Sequence, residues 1–151
     1  MAWRFDESIA RPMQNLNSIG LNDHDVVELT QAFHVCGFWR ASLDDGFIFW
    51  TEHCFKIFEM EPHDGPVNIT SVAAAMHPDD CGMVLEAFQR STETKQTFHC
   101  IFRVLAKNGC AKWVRSIGKY HAQPDGPAEI RGMMHELFQH VPTAAFVVEP
   151  I

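Results

Sequence analysis

Apolar positions recur at helical spacing through the first part and the middle of the chain, and at alternate positions through its last third. Near the start, Phe5, Ile9, Met13 and Leu16 fall close to helical spacing, but Pro12 interrupts them. Proline removes an amide donor and clashes with the preceding turn. The pattern predicts a helical extension over 1–21, either one kinked helix or a new helix starting at Pro12, with Gly20 as its stop. A further helix starts near Asn22 or Asp23, both good N-caps, and Asp25 lies in its first turn, where negative charge suits the dipole. Val26, Leu29 and Phe33 then share one face, and Gly37 ends the helix.

The period next shortens to two. Residues 37–43 read as a strand, Asp44-Asp45-Gly46 as a turn, and Phe47-Ile48-Phe49-Trp50 as a second strand. Thr51 caps a short helix carrying Cys54, Phe55, Ile57 and Phe58 inward. Pro62 and Gly65-Pro66 break the chain, and Thr70 or Ser71 caps an alanine-rich piece over 72–76. Pro78 fits the first turn of a longer helix, whose N-terminus Asp79 and Asp80 favour. Behind it Cys81, Val84, Leu85 and Phe88 make one stripe.

The last third is strand-like. Phe98, Cys100, Phe102 and Val104 share a face of a strand over 97–105. Lys107-Asn108-Gly109 is a hairpin turn, with Asn-Gly suited to type I′. A long strand over 111–123 places Trp113, Arg115 and Ile117 on one side, 124–127 turn the chain, and a final strand runs from Ala128 to about Gln139. One helix, two strands, short helices and three strands give an α+β fold: a five-stranded antiparallel sheet with helices on one face. The domain spans 22–140, preceded by the helical extension and followed by a tail, 141–151.

Composition narrows the function. The 151 residues suit one domain, and 46% hydrophobic content argues against wholesale disorder. A net charge of −7 lacks the basic footprint that nucleic acid or an anionic lipid surface requires, so neither is expected as partner. No apolar run is long enough to span a bilayer and no signal-peptide core opens the chain, so a cytoplasmic location is expected. The five cysteines are odd in number and form no CxxC, which reads as reduced thiols with a redox role as the alternative.

In order along the chain, Gly37-Phe38-Trp39-Arg40, Phe49-Trp50-Thr51 with Ile57-Phe58, His77-Pro78-Asp79-Asp80, Phe102-Arg103 with Lys107-Asn108-Gly109, Lys112-Trp113-Val114-Arg115 with Gly118, and Pro124-Asp125-Gly126 with Gly132-Met133-Met134 resemble the motifs of the PAS superfamily. The likeness covers about 34–140 and is greatest to the branch with H-P-D-D and a long final hairpin. Glu136-Leu137-Phe138 stands where many such domains carry Asp-Ile-Thr.

The resemblance implies a sensory domain that binds rather than catalyses, so no enzyme is expected, and none of GxSxG, HExxH, a P-loop or GxGxxG occurs. No cofactor or metal site is expected; heme or a small organic ligand is the alternative. Its pocket would be lined by Phe49, Phe55, Ile57, Met76, Leu85, Phe88, Phe102 and Trp113, although 12 phenylalanines favour a filled core. The helix behind Asp80 offers no histidine to heme, and the flavin-adduct motif N-C-R-F is absent. The implied role is a stand-alone domain that signals by docking on a histidine kinase or response regulator, and that forms a homodimer. Trp3, Phe5, Ile9, Met13 and Leu16 are the candidate contacts, being too apolar for an idle tail, with folding back onto the chain's own sheet as the equal alternative.

Overall fold

The computed structural model describes residues 2–5, 11–32 and 34–137. Its core is one antiparallel sheet with helices against one face. The strands are β1 (Trp3–Arg4), β2 (Cys36–Ser42), β3 (Ile48–Trp50), β4 (Phe98–Leu105), β5 (Ala111–His121) and β6 (Glu129–Glu136), in the spatial order β1-β4-β5-β6-β2-β3. The helices are α1 (Asp23–Gln31), α2 (Glu52–Phe58), α3 (Ile69–Ala75) and α4 (Pro78–Thr94).

Capping chemistry fixes the helix starts. Asn22 accepts from the Asp25 amide, and Asp25 returns the bond to the Asn22 amide, closing a capping box. Asn68, rather than Thr70 or Ser71, caps α3 by accepting from the Ser71 amide. His77 caps α4 by accepting from the Asp79 amide, with Pro78 in the first turn. Thr51 occupies the N-cap position of α2, but its hydroxyl accepts from the Phe38 amide instead, tying α2 to β2.

The inner sheet face follows the alternation. Phe98, Cys100, Phe102 and Val104 are buried, as are Cys54, Phe55, Ile57 and Phe58 of α2. The β4–β5 hairpin departs from the expected type I′ turn. Gly109 alone takes positive φ, at 86°, while Asn108 does not. Ala106 and Cys110 close a three-residue loop, the form in which a left-handed glycine follows an ordinary turn.

The sheet has six strands rather than five, because the described residues of the N-terminal segment, 2–5 and 11–21, do not form the expected helix. Trp3–Arg4 pairs with β4, residues 11–15 are irregular, and Leu16–Ile19 form one 3-10 turn that Gly20 ends at φ 78°. The open edge of β4 satisfies backbone groups that a Pro12-broken helix would leave unpaired. Ile9, Phe33, Phe138 and the tail lie outside the described residues.

Candidate functional site

Between the sheet and the helices lies an open pocket of about 120 Å³. Its floor is the Trp39 ring, which lies over the two facing glycines of β5 and β6, Gly118 and Gly132. A Cβ at Gly118 would sit 2.7 Å from that ring, and one at Gly132 would run into both the ring and the Ile117 carbonyl. Glycine is therefore required there by close approach. Trp39 Nε1 donates to Ser116 Oγ at 3.1 Å, so the cavity's polar side chain is already engaged. Phe98 and Phe88 meet the indole edge-on and tilted, with centroids 5.8 and 6.4 Å away. Met76, Cys81, Val84 and Met134 close the sides, and Ile69 and Leu85, 42% and 54% exposed, stand at the mouth.

Four of the eight residues expected to line a pocket do so: Met76, Leu85, Phe88 and Phe102. Phe55 and Ile57 are buried but lie apart from the cavity. Phe49 and Trp113 are corrections. Phe49 pairs with Arg40, between Ile48 and Trp50, so it falls on the outer face, where the Arg40 guanidinium lies 4.7 Å from its ring centre. Trp113 has the parity of Arg115 and Ile117, while Val114 and Ser116 turn inward, so it too faces out. Trp39 and Ser116 were missed as lining residues. The signal was Gly118 facing Gly132, which leaves room for a large ring.

Within the α4 stripe Val84 is buried but Leu85 is not, and Ala87 and Ser91 are buried beside it. The expectation of a filled core meets a pocket of about 120 Å³ beside the Phe88–Trp39 contact. Two buried thiols away from the cavity are chemically quiet. Burial pushes Cys54 and Cys100 up to about 12, where little thiolate exists. Among the described residues no His, Cys, Asp or Glu cluster is placed to hold a metal, and no helix is long and apolar enough to cross a membrane.

The histidine-proline-aspartate-aspartate segment joins the helix layer to the sheet. Asp80, fully buried, accepts from Arg103 Nε at 2.9 Å, from Arg103 Nη2 at 2.7 Å and from the Arg103 amide at 2.8 Å. Those hydrogen bonds hold its carboxyl below the ordinary range, against the effect of burial. Arg103 also stacks over Trp113, 5.5 Å from the ring centre. On the outer face Glu129 is gripped by Arg131 and Arg40, at 2.7 and 3.1 Å.

The candidate contacts of the N-terminal segment divide. Trp3 stacks on Trp113 at 5.4 Å and Phe5 on His99 at 4.3 Å, both on the chain's own sheet. Met13 is 96% exposed, and Leu16 is half-buried in the 3-10 turn. The helix that follows, α1, buries none of its residues and exposes Val26, Val27 and Leu29.

A family model described as the PAS fold matches residues 47–134. No curated protein matches the chain. Among solved structures, the sensory box histidine kinase/response regulator of Burkholderia thailandensis is 26% identical with a TM-score of 0.57, over 74% of this chain and 83% of that one. The N-terminal domain of a diguanylate cyclase with PAS/PAC sensor from Marinobacter aquaeolei is 16% identical with a TM-score of 0.58, over 68% and 94%. Cycle PAS-B of Drosophila melanogaster, solved with bound glycerol, is 12% identical with a TM-score of 0.52, over 67% and 99%. The latter two show likeness of fold alone.

Proposed function

The chain belongs to the PAS fold family, and from that premise we propose that it signals by docking on another protein, acting as a module of a two-component pathway without turnover of its own. The reading is carried by α1. This helix has a complete capping box yet no buried residue, and it presents Val26, Val27 and Leu29 beside Asp23, Asp25 and Glu28. An ordered helix with an uncovered apolar face marks a contact surface. The relation to a sensory histidine kinase/response regulator supports kinases and response regulators as the partner class, and a second copy of the chain as a further occupant. The His77-Pro78-Asp79-Asp80 clamp and the long final hairpin, β5–β6, support the branch of the family with those two features.

Two-hybrid pairing of the full chain against the histidine kinases and response regulators of its source genome tests this. A specific pair lost on Leu29→Glu supports the reading. No pair with any of them, in either orientation, overturns it.

A second reading rests on the cavity, as a sensor pocket for a small organic ligand. Its 120 Å³ approaches the roughly 150 Å³ of engineered cavities that hold benzene. Heme fits it poorly. The volume is far below a porphyrin's, and no histidine is among the lining residues. Native mass spectrometry separates the two readings. Mass released on denaturation favours the pocket, whereas a bare chain mass, single or doubled, favours docking alone.

A further inference from the structure

The free edge of β4 is closed in two different ways. At one end the link between α3 and α4 covers it: Met76 bridges to Val104, and the His77 amide donates to the Arg103 carbonyl at 2.9 Å. At the other end the cover is β1. Trp3 pairs with Ile101 and Arg4 with Cys100, and the Phe5 amide donates to the His99 carbonyl at 3.0 Å. The first cover is part of the domain body. The second is a terminal strand of 2 residues, after which no residue of the 3-10 turn is buried.

The edge offers each of these three residues a side-chain seat. Trp3 lies nearly parallel on Trp113, at 17°, with Arg103 over that same indole. Arg4 faces Glu86 on α4, 3.8 Å away. Phe5 lies on the imidazole of His99, at 24°, and His99 Nε2 accepts from Arg115 Nε at 2.9 Å. Main-chain pairing with alternating side-chain seats is how an extended peptide is recognised by strand addition. The seats specify an aromatic, then a basic, then an aromatic residue.

We propose that the His99–Ile101 edge of β4 is a strand-addition site, that Trp3-Arg4-Phe5 is its resident self-ligand, and that a partner protein engages the domain by replacing it with an extended aromatic–basic–aromatic segment. Such a partner gains the same seats and extends the ladder outward from a strand longer than β1. This surface is separate from the α1 face, so either one stands if the other fails.

The test uses the full chain and a fluorescein-labelled peptide of residues 1–6. Trp3→Ala with Phe5→Ala empties the edge, and Arg4→Glu replaces that pair should the double variant fail to fold. Fluorescence anisotropy should show the peptide bound to the emptied chain about tenfold more tightly than to the unaltered one, because the resident strand leaves the edge open only part of the time. A peptide with glutamate in place of arginine should bind more weakly, through loss of the Glu86 seat. Amide shifts on binding should centre on 99–101. Equal binding to emptied and unaltered chains, binding to neither, or indifference to the arginine would overturn the proposal.

Discussion

Residues 36–136 and the segment before them are held to the same sheet by opposite means. In the body, β5 pairs along its length with β4 and β6, and the helix layer is fastened by a fully buried carboxylate with three bonds to one arginine. Before the body, β1 supplies a ladder of 2 residues and α1 buries nothing. Two ring stacks are worth about 0.5–1.5 kcal/mol each and an exposed ion pair under about 1. Ordering three residues of backbone costs about 1–2 kcal/mol per residue. Attachment of β1 is thus close to balance, while the body is far from it. A domain built this way keeps its scaffold while its N-terminal segment changes partner.

The comparison breaks most sharply at Gly132. An added Cβ there meets the backbone carbonyl of Ile117 as well as the Trp39 ring, so no side-chain rotation relieves it. Gly132→Ala should cost about 3 kcal/mol or more, read as a lower urea midpoint at unchanged slope. Gly82→Ala is the matched control. It lies in α4 with nothing within 4 Å of the added carbon, and should instead stabilise by up to about 1 kcal/mol.

Asp80→Asn comes next, at about 2 kcal/mol near neutral pH, because the amide keeps the shape but gives up the charge that Arg103 answers. The pH dependence has a definite sign. Arg103 holds the Asp80 carboxyl below its ordinary 3.8. At Glu129 burial pushes upward, but the bonds from Arg131 and Arg40 outweigh it and hold the carboxyl below 4.5. A carboxyl lowered in the folded state adds stability that is complete above its ordinary value and is lost as pH falls through the lowered one. The gap between the unaltered chain and Asp80→Asn should therefore be widest near neutral pH and narrow below about pH 4 in a denaturation series. A gap that widens on acidification would contradict the clamp.

The body was also what could be read from residues alone. Strand parity put Phe98, Cys100, Phe102 and Val104 on one face, and Pro78 marked the start of α4, because those preferences are local. Parity also grouped Trp113 with Arg115 and Ile117, but alternation does not say which of two faces is inner. That depends on what lies across the sheet, and here Trp39 over Gly118 and Gly132 decides it. The cavity was illegible for a related reason. It is lined from the sheet and three helices at once, an arrangement that apolar content does not determine. The N-terminal helix failed because the competing structure, pairing with β4, lies about a hundred residues away in sequence.

Trp3→Ala should cost under about 1 kcal/mol globally, since half of the ring is already in water. Its local effect should be larger than its global one. The Phe5 amide, bonded to the His99 carbonyl, should lose hydrogen-exchange protection while amides of the β4–β5 ladder keep theirs. Equal loss in both would mean that β1 belongs to the body after all.

The smallest stability effect is expected on α1, and it carries the most about function. Leu29 is 64% exposed on a helix without buried residues, so Leu29→Glu should change the folding free energy by no more than about 0.5 kcal/mol. The same change puts a carboxylate on the face Leu29 shares with Val26, in a helix that already carries Asp23, Asp25 and Glu28. Any interface covering that face would bury the new charge without a partner and lose several kcal/mol of association energy. Sedimentation velocity on both chains, alone and with a partner found by pairing, should show association lost with the unfolding midpoint unmoved. If association survives intact, α1 is only a spacer and the contact lies elsewhere on the domain.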